Sequence, residues 1–168
     1  MSDLVLSAPG IFQALYNLIN EAAAGLNPSV PAFPFALNQA EPPAYVLVRS
    51  IENHRIKWVG IGLFQQEETY DITGIATVFS GSATPDDLTV TTDVMDQTFS
   101  LFQSAVMTPV MTNRQTTPLL GTTGPSPNWV LPGFASYSAA PAEIGGAPGG
   151  WAGVIEWSFS FSALLTPA

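Results

Sequence analysis

The sequence predicts an α+β domain: a mostly antiparallel four-stranded sheet with two helices packed on one face, plus a long Pro/Gly-rich loop. Three observations carry that prediction. The stretch 44–80 contains three runs rich in Val, Ile, Thr, Tyr, Phe and Trp, a composition suited to a pleated, half-buried surface. Two other stretches, after Ser7 and after Thr92, repeat apolar residues at helical spacing. The segment 151–165 alternates, with Gly153, Ile155, Trp157, Phe159 and Phe161 on one side and Val154, Glu156, Ser158, Ser160 and Ser162 on the other, the period of a strand with one buried face. At 168 residues the chain is expected to form a single domain over its whole length.

The first helix is predicted from Ser7 to Gly25. Ser7 is a capping residue, Pro9 is tolerated in a first turn and Gly25 stands where helices stop. Phe12, Leu15, Ile19 and Ala22 share one face, flanked by Ile11 and Leu18, and that face is expected to pack on the sheet. Residues 25–43 follow with five prolines, which forbid helix continuation and central strand pairing and predict a stiff extended connection. Phe33 and Phe35 lie within it; the segment is too apolar for free solvation, so both rings are expected to pack on the domain or on a neighbour.

Tyr45 to Ser50 and Arg55 to Gln65 are expected to pair as a hairpin across Glu52, Asn53 and His54. Thr69 to Phe79 then adds a third strand, with Gln65 to Glu68 as the connecting turn. A second helix is predicted from Thr92 or Asp93 to about Thr108, with Met95, Phe99, Phe102 and Val106 as its buried stripe and Pro109 as its end. From 111 to 150 the chain alternates Pro with Gly, Ser, Thr and Ala. It is expected to be an extended loop or arm, with at most a short strand at Trp129 to Leu131, and its aromatic residues Trp129, Phe134, Tyr137 and Trp151 suggest ordering against other subunits. The strand 151–165 closes the sheet.

Charge limits the function classes. Four basic residues against thirteen acidic ones, a net charge of −9, leave no basic track for gripping nucleic acid. Three of those four, Arg49, Arg55 and Lys57, cluster in the predicted hairpin. They read either as solvated strand ends or as a complementary contact with an acidic neighbouring subunit. Only 10% of residues are charged and 46% are hydrophobic, so an isolated copy would show water an unusually apolar surface, and burial against partners is the economical explanation. No run approaches the roughly 20 apolar residues a membrane helix needs, and the first ten residues lack the basic start of a secretory signal.

No catalytic constellation emerges. His54, the one histidine, is expected as an exposed turn residue, and no nucleophile elbow accompanies it. Glu67, Glu68 and Asp71, like Asp86 and Asp87, fall in predicted turns where solvent keeps them ionised. The Gly-rich run 145–150 lacks the Lys-Ser/Thr of a phosphate loop, and the absence of cysteine removes thiolate chemistry. The sequence therefore predicts no enzyme, no cofactor and no metal site.

The order of elements, with the segments WVGIG, YDITGIATVFSG and the closing IEWSFSF, resembles the tail terminator proteins of long-tailed bacteriophages. That resemblance implies a virion protein at the head–tail junction: a subunit of a hexameric ring that caps the tail tube, ends its polymerisation and meets a neck or head-completion protein, with DNA passing through the lumen unheld. Interface candidates on this reading are Arg49, Arg55, Lys57, Glu67, Glu68, Phe33, Phe35, Trp129, Phe134, Tyr137 and Trp151. Two alternatives stand beside it: another phage neck or tail-tube subunit, and a carbohydrate-binding module stacking sugars on Trp129, Tyr137 and Trp151.

Overall fold

The apolar stripes of the first helix and the closing strand fix how those two elements face the core. The computed structural model describes residues 6–37, 42–58, 66–80, 88–113, 129–144 and 147–165. The first helix, α1 (Ala8–Ala24), buries Ala8, Ile11, Phe12, Leu15, Ile19 and Ala23, the stripe its spacing predicts. A short strand β1 (Ala32–Pro34) follows, then β2 (Ala44–Trp58) and β3 (Gln66–Ser80). A helical run comes next: α2 (Leu88–Phe102), a π segment (Gln103–Met107) and α3 (Thr108–Asn113). Two long strands, β4 (Trp129–Ile144) and β5 (Ala147–Leu165), complete the chain.

The sheet has five strands in the order β1-β2-β3-β5-β4 and is mixed, because β1 runs parallel to β2 while all other pairs are antiparallel. The predicted four-stranded sheet thus misses both edge strands, β1 and β4, and counts the single strand β2 as two. The proline-rich lead still donates a backbone, since Val46 N–H bonds Pro31 O and Phe35 N–H bonds Val48 O. Three residues ending in Pro34 are what an edge position tolerates. The predicted loop at 111–150 is also corrected: 129–144 is a strand paired along β5, with Pro132 and Pro141 at or beside its register shifts. Proline is acceptable there because β4 lies at the other edge and needs hydrogen bonds on one side only. Residues 114–128 and 145–146 of the predicted loop lie outside the described residues.

The expected hairpin turn at Glu52, Asn53 and His54 does not exist. β2 runs straight through it, and β3 pairs with β2 from Ala44↔Val78 to Trp58↔Gln66. Glu52 pairs with Asp71, and Asn53 and His54 are absorbed as a bulge between Glu52 and Arg55, where Asn53 takes φ 52°, a conformation Asn tolerates better than most residues. A second bulge falls between Val48 and Ser50. Each inserts one extra residue, which keeps Val46, Val48, Ile51 and Ile56 on the same face as Tyr70, Ile72, Ala76 and Val78 of β3 by register. The rest of the expected second strand, 59–65, lies outside the described residues.

One core cluster joins that face to both helical segments: Leu15 and Ile19 of α1, Leu101 and Phe102 of α2, Val106 and Val110 beyond it, and Ile155, Trp157, Phe159 and Phe161 of β5. The predicted facing of β5 holds. The predicted stripe on α2 holds only in part. Phe102 and Val106 are buried, but Met95 and Phe99 are 41% and 56% exposed, and Val94, Thr98 and Leu101 take the inward positions. Pro109 does not end the helix. The π segment shifts the hydrogen-bond ladder ahead of it, with Thr108 N–H bonding Gln103 O, and the chain continues helically with Pro109 in the first turn of α3, where its missing N–H has no cost.

α2 approaches β5 at Gly153. A Cβ there would collide with Thr98 Oγ1 and press on Val94 Cγ1 at 3.2 Å, and Thr98 cannot turn away without losing its hydrogen bond to Val94 O at 2.6 Å. Gly153→Ala should therefore push α2 outward and cost about 1–3 kcal/mol. Thermal unfolding should show a loss of roughly 3–10 °C for a chain of this size.

Candidate functional site: a buried carboxylate hub and unlike exposed surfaces

Glu68 is the most unusual residue in the sheet. Alternation along β3 turns Glu67 to one side and Glu68 to the other, beneath the start of α1, where it is fully buried. The expectation that Glu68 is a turn residue available to a neighbour is corrected: β3 begins at Gln66, so no turn separates Glu68 from Tyr70 and Ile72, which share its face.

The carboxylate is satisfied on both oxygens. Oε2 accepts from Ser7 N–H at 2.7 Å and Ser7 Oγ–H at 2.6 Å, while Oε1 accepts from Ala8 N–H at 3.3 Å and His54 Nε2 at 2.8 Å. A carboxylate only accepts, so the Nε2 hydrogen lies on the histidine. Since the Ser7 hydroxyl donates to Glu68, it accepts from Tyr70 Oη at 3.0 Å. Ser7 makes no side-chain cap of its own at α1. Glu68 does that work from across the sheet and places its charge against the positive end of the helix. Burial pushes the Tyr70 phenol well up, partly opposed by the Ser7 hydrogen bond and reinforced by the charge of Glu68.

His54 is corrected likewise, from a turn residue to a bulge residue that exposes 34% of its side chain and reaches Glu68. Serine, histidine and glutamate meet here in an order unsuited to nucleophilic catalysis. A triad needs the imidazole between nucleophile and acid, whereas here Glu68 stands between His54 and a Ser7 that is 1% exposed. The cluster reads as a structural hub fastening α1 to β2 and β3.

The sheet face away from the helices is polar over 67–73 of β3 and 156–162 of β5. Ser162 Oγ donates to Glu67 at 2.9 Å, Ser160 Oγ donates to Asp71 at 2.6 Å, and Asn53 donates to the other Asp71 oxygen at 2.8 Å. Lys57 Nζ lies 2.7 Å from Glu67. That pair, with help from Ser162, holds the Glu67 carboxyl below the usual carboxylate range against a small opposing effect of burial. The resulting stabilisation is complete above the ordinary carboxylate pKa and is lost as pH falls through the lowered value. Lys57→Met should cost at most about 1 kcal/mol at neutral pH, because the Lys57 side chain is 67% exposed. Denaturant titrations should find the difference from the parent protein gone in acid. Among the described residues no group of three His, Cys, Asp or Glu is arranged to hold a metal, and no helix is long and apolar enough to cross a membrane.

The remaining interface candidates are dispersed. Arg55 and Lys57 pair with Thr69 and Glu67 near the far end of β2, and Arg49 is the extra residue of the nearer bulge, between Val48 and Ser50. Phe33 packs within its own chain, edge-on to Tyr45 at 6.2 Å in a small cluster with Leu47 and Ile75. Phe35 stacks on Phe12 at 4.6 Å yet remains 64% exposed. Tyr137 is 38% exposed, and burial together with Asp96 raises its phenol pKa. Trp151 is half-buried. The strand positions of Trp129 and Trp151 do not converge with Tyr137 on one platform: Trp129 pairs with Ser162, Tyr137 with Ile155, and Trp151 with Pro141. The side chains of Trp129 and Phe134 lie outside the described residues.

Sequence reasoning missed the exposed apolar groups. Ile56 and Trp58, 44% and 65% exposed, alternate with Arg55 and Lys57 at the far end of β2, and Met95 and Phe99 lie four residues apart on α2. The alternation in Arg55–Trp58 was a visible signal; exposure on α2 was not. At the other end of the sheet a groove of about 630 Å³ runs between α2 and the chain after α1, floored by Leu26, Val30, Ala44, Val78 and Leu101, with Asp96 on its rim. Among the described residues that line it, Asp96 alone is charged. Neither a scan of protein-family models nor a search of curated proteins finds a match to this chain.

Proposed function

We propose that this chain is a ring-forming structural subunit of a bacteriophage tail, a tail terminator that caps the tube, ends its growth and receives the neck. The observation that carries this reading is the distribution of exposed apolar side chains over unlike surfaces. Ile56 and Trp58 mark one end of the sheet, while Met95 and Phe99 mark a helix flank. One patch alone fits a two-fold dimer; several unlike patches fit a subunit that meets different neighbours on different sides. Low charge and high apolar content agree with permanent burial in an assembly.

In this arrangement the partners are further copies of the chain, the tail-tube protein and a neck or head-completion protein. A lumen must only avoid gripping DNA, and a chain with four basic residues against thirteen acidic ones offers no continuous basic track for it. The protein acts without chemistry of its own and resides at the head–tail junction of the virion after synthesis in the host cytoplasm.

Mass photometry of the purified protein should give a particle six times the 17.8 kDa chain mass, with rings in negative-stain images. In virions, one ring's worth of copies distinguishes a terminator from a tube subunit, which occurs in many stacked rings. A protein monomeric at every concentration, and located away from the tube end, overturns the proposal.

A further inference from the structure

Two surfaces of this chain complement one another and lie too far apart to meet within one copy. The first is the far end of β2, Arg55–Trp58, where Ile56 and Trp58 are exposed on the helix side of the strand and Arg55 and Lys57 alternate with them. Within the described residues Arg55 makes no salt bridge, whereas Lys57 is held by Glu67. The second is the groove beside α2, with its apolar floor and the single carboxylate of Asp96 at its rim. Ala44, at the start of β2, belongs to the groove, so the strand itself separates the two surfaces by roughly 45 Å at about 3.3 Å per residue.

We infer that the Arg55–Trp58 end of one copy seats in the groove beside α2 of the next copy, with Arg55 facing Asp96. The occupant is a second copy because the charges are complementary. Three of the chain's four basic residues sit on β2, whereas the groove presents one acid and no base among the described residues that line it. Pairing of strand edges is a weaker route for the same segment. Beyond Val48 β2 has no β1 partner, but two bulges and three basic side chains interrupt that edge, the features that discourage edge-to-edge growth. The contact joins unlike surfaces, so repetition generates a closed ring when the rotation closes and a filament when it does not. This inference rests on the assembly reading above and specifies the contact it uses.

The chain contains no cysteine, which makes cross-linking unambiguous. Ile56→Cys and Gln97→Cys, the latter on the groove wall, should each remain uncross-linked alone under mild oxidation. Mixed together they should give a disulfide-linked pair, and the double variant a ladder of linked copies. Arg55→Glu and Asp96→Arg, both at exposed positions, should leave the melting of the single chain unchanged. Each should weaken assembly about tenfold or more in concentration, an effect that fades in high salt, and the two together should restore it.

Parent rings that persist while the mixed pair fails to link and both charge reversals assemble normally overturn this contact and leave the assembly reading intact. Self-linking of Ile56→Cys alone also overturns it, since that means a two-fold contact. A parent protein that never assembles overturns both.

Discussion

Phe159→Asp is expected to abolish cooperative folding. Phe159 is 1% exposed, tilts against Trp157 at 5.7 Å and sits in the core cluster shared by the sheet and both helical segments. Removing a ring of this size from a packed core costs about 3–5 kcal/mol through lost burial and the cavity left behind. An unpaired carboxylate in its place adds several kcal/mol, since among the described residues the core cluster around Phe159 holds no cation to receive it. Together these approach or exceed the 5–15 kcal/mol by which domains are usually stable. Circular dichroism should show no sigmoidal melt and expression should give insoluble protein. Phe159→Leu, which keeps most of the apolar volume, should still fold. A soluble Phe159→Asp protein with unchanged melting would mean the strand faces the other way.

Glu68→Ala is the second large effect, and its size comes from what it leaves behind rather than from what it removes. Ser7 N–H, Ser7 Oγ–H and His54 Nε2 all lose an acceptor, as does Ala8 N–H at a longer distance. Two of these donors are the opening amides of α1, buried where water does not replace the carboxylate. Loss of a helix cap costs about 1 kcal/mol, and each buried donor left unsatisfied costs about 1–3 kcal/mol. A total of roughly 3–5 kcal/mol follows if part of the cluster relaxes, read as a loss of about 6–20 °C in the melting temperature for a chain of this length. Glu68→Gln should recover only part of this, because its amide presents a donor where the site supplies donors. Hydrogen exchange should localise the damage to the first turns of α1. Protection of those amides equal to that of the parent protein would remove Glu68 from its capping role.

These two residues mark how far a sequence reading reaches. Phe159 was legible because β5 alternates from Ile155 on: Ile155, Trp157, Phe159 and Phe161 are apolar, while Glu156, Ser158, Ser160 and Ser162 between and after them are polar. Such a pattern has one solution against a core. The α1 stripe was legible for the same reason at the helical period. Glu68 was not, because a Gln-Gln-Glu-Glu run looks like a solvated turn until β3 is known to begin at Gln66. Once the strand starts there, parity sends Glu68 inward with Tyr70, and only the three-dimensional approach of α1 makes a buried carboxylate tolerable. His54 went unread for a related reason. Glu52, Asn53 and His54 carry every local mark of a turn, yet the register with β3 pairs Glu52 and makes a bulge of the other two.

The edges of the sheet show the same limit from another side. β1 and β4 contain prolines, and proline counts against a strand when only local preference is weighed. At an edge one hydrogen-bonding side is free, so the penalty largely disappears; which strands are edges is a property of the assembled sheet. Met95 and Phe99 illustrate it on a helix. Their spacing matches burial as well as the true inward set does, and Val94, Thr98 and Leu101 win because α2 must clear Gly153. A rotation of one residue position around the helix decides between two apolar stripes, and the sequence of the helix alone does not contain it.

Local periodicity therefore determined the α+β class and the buried faces of α1 and β5. Those features depend on residues a few positions apart, whose relation is set by the helix and strand repeats themselves. The parallel β1, the bulged β2, the hub at Glu68 and the opposed positions of groove and basic strand end were decided by the tertiary structure. Each depends on contacts between segments distant in the chain, and the free energy of such a contact is defined only once the partner's position is known.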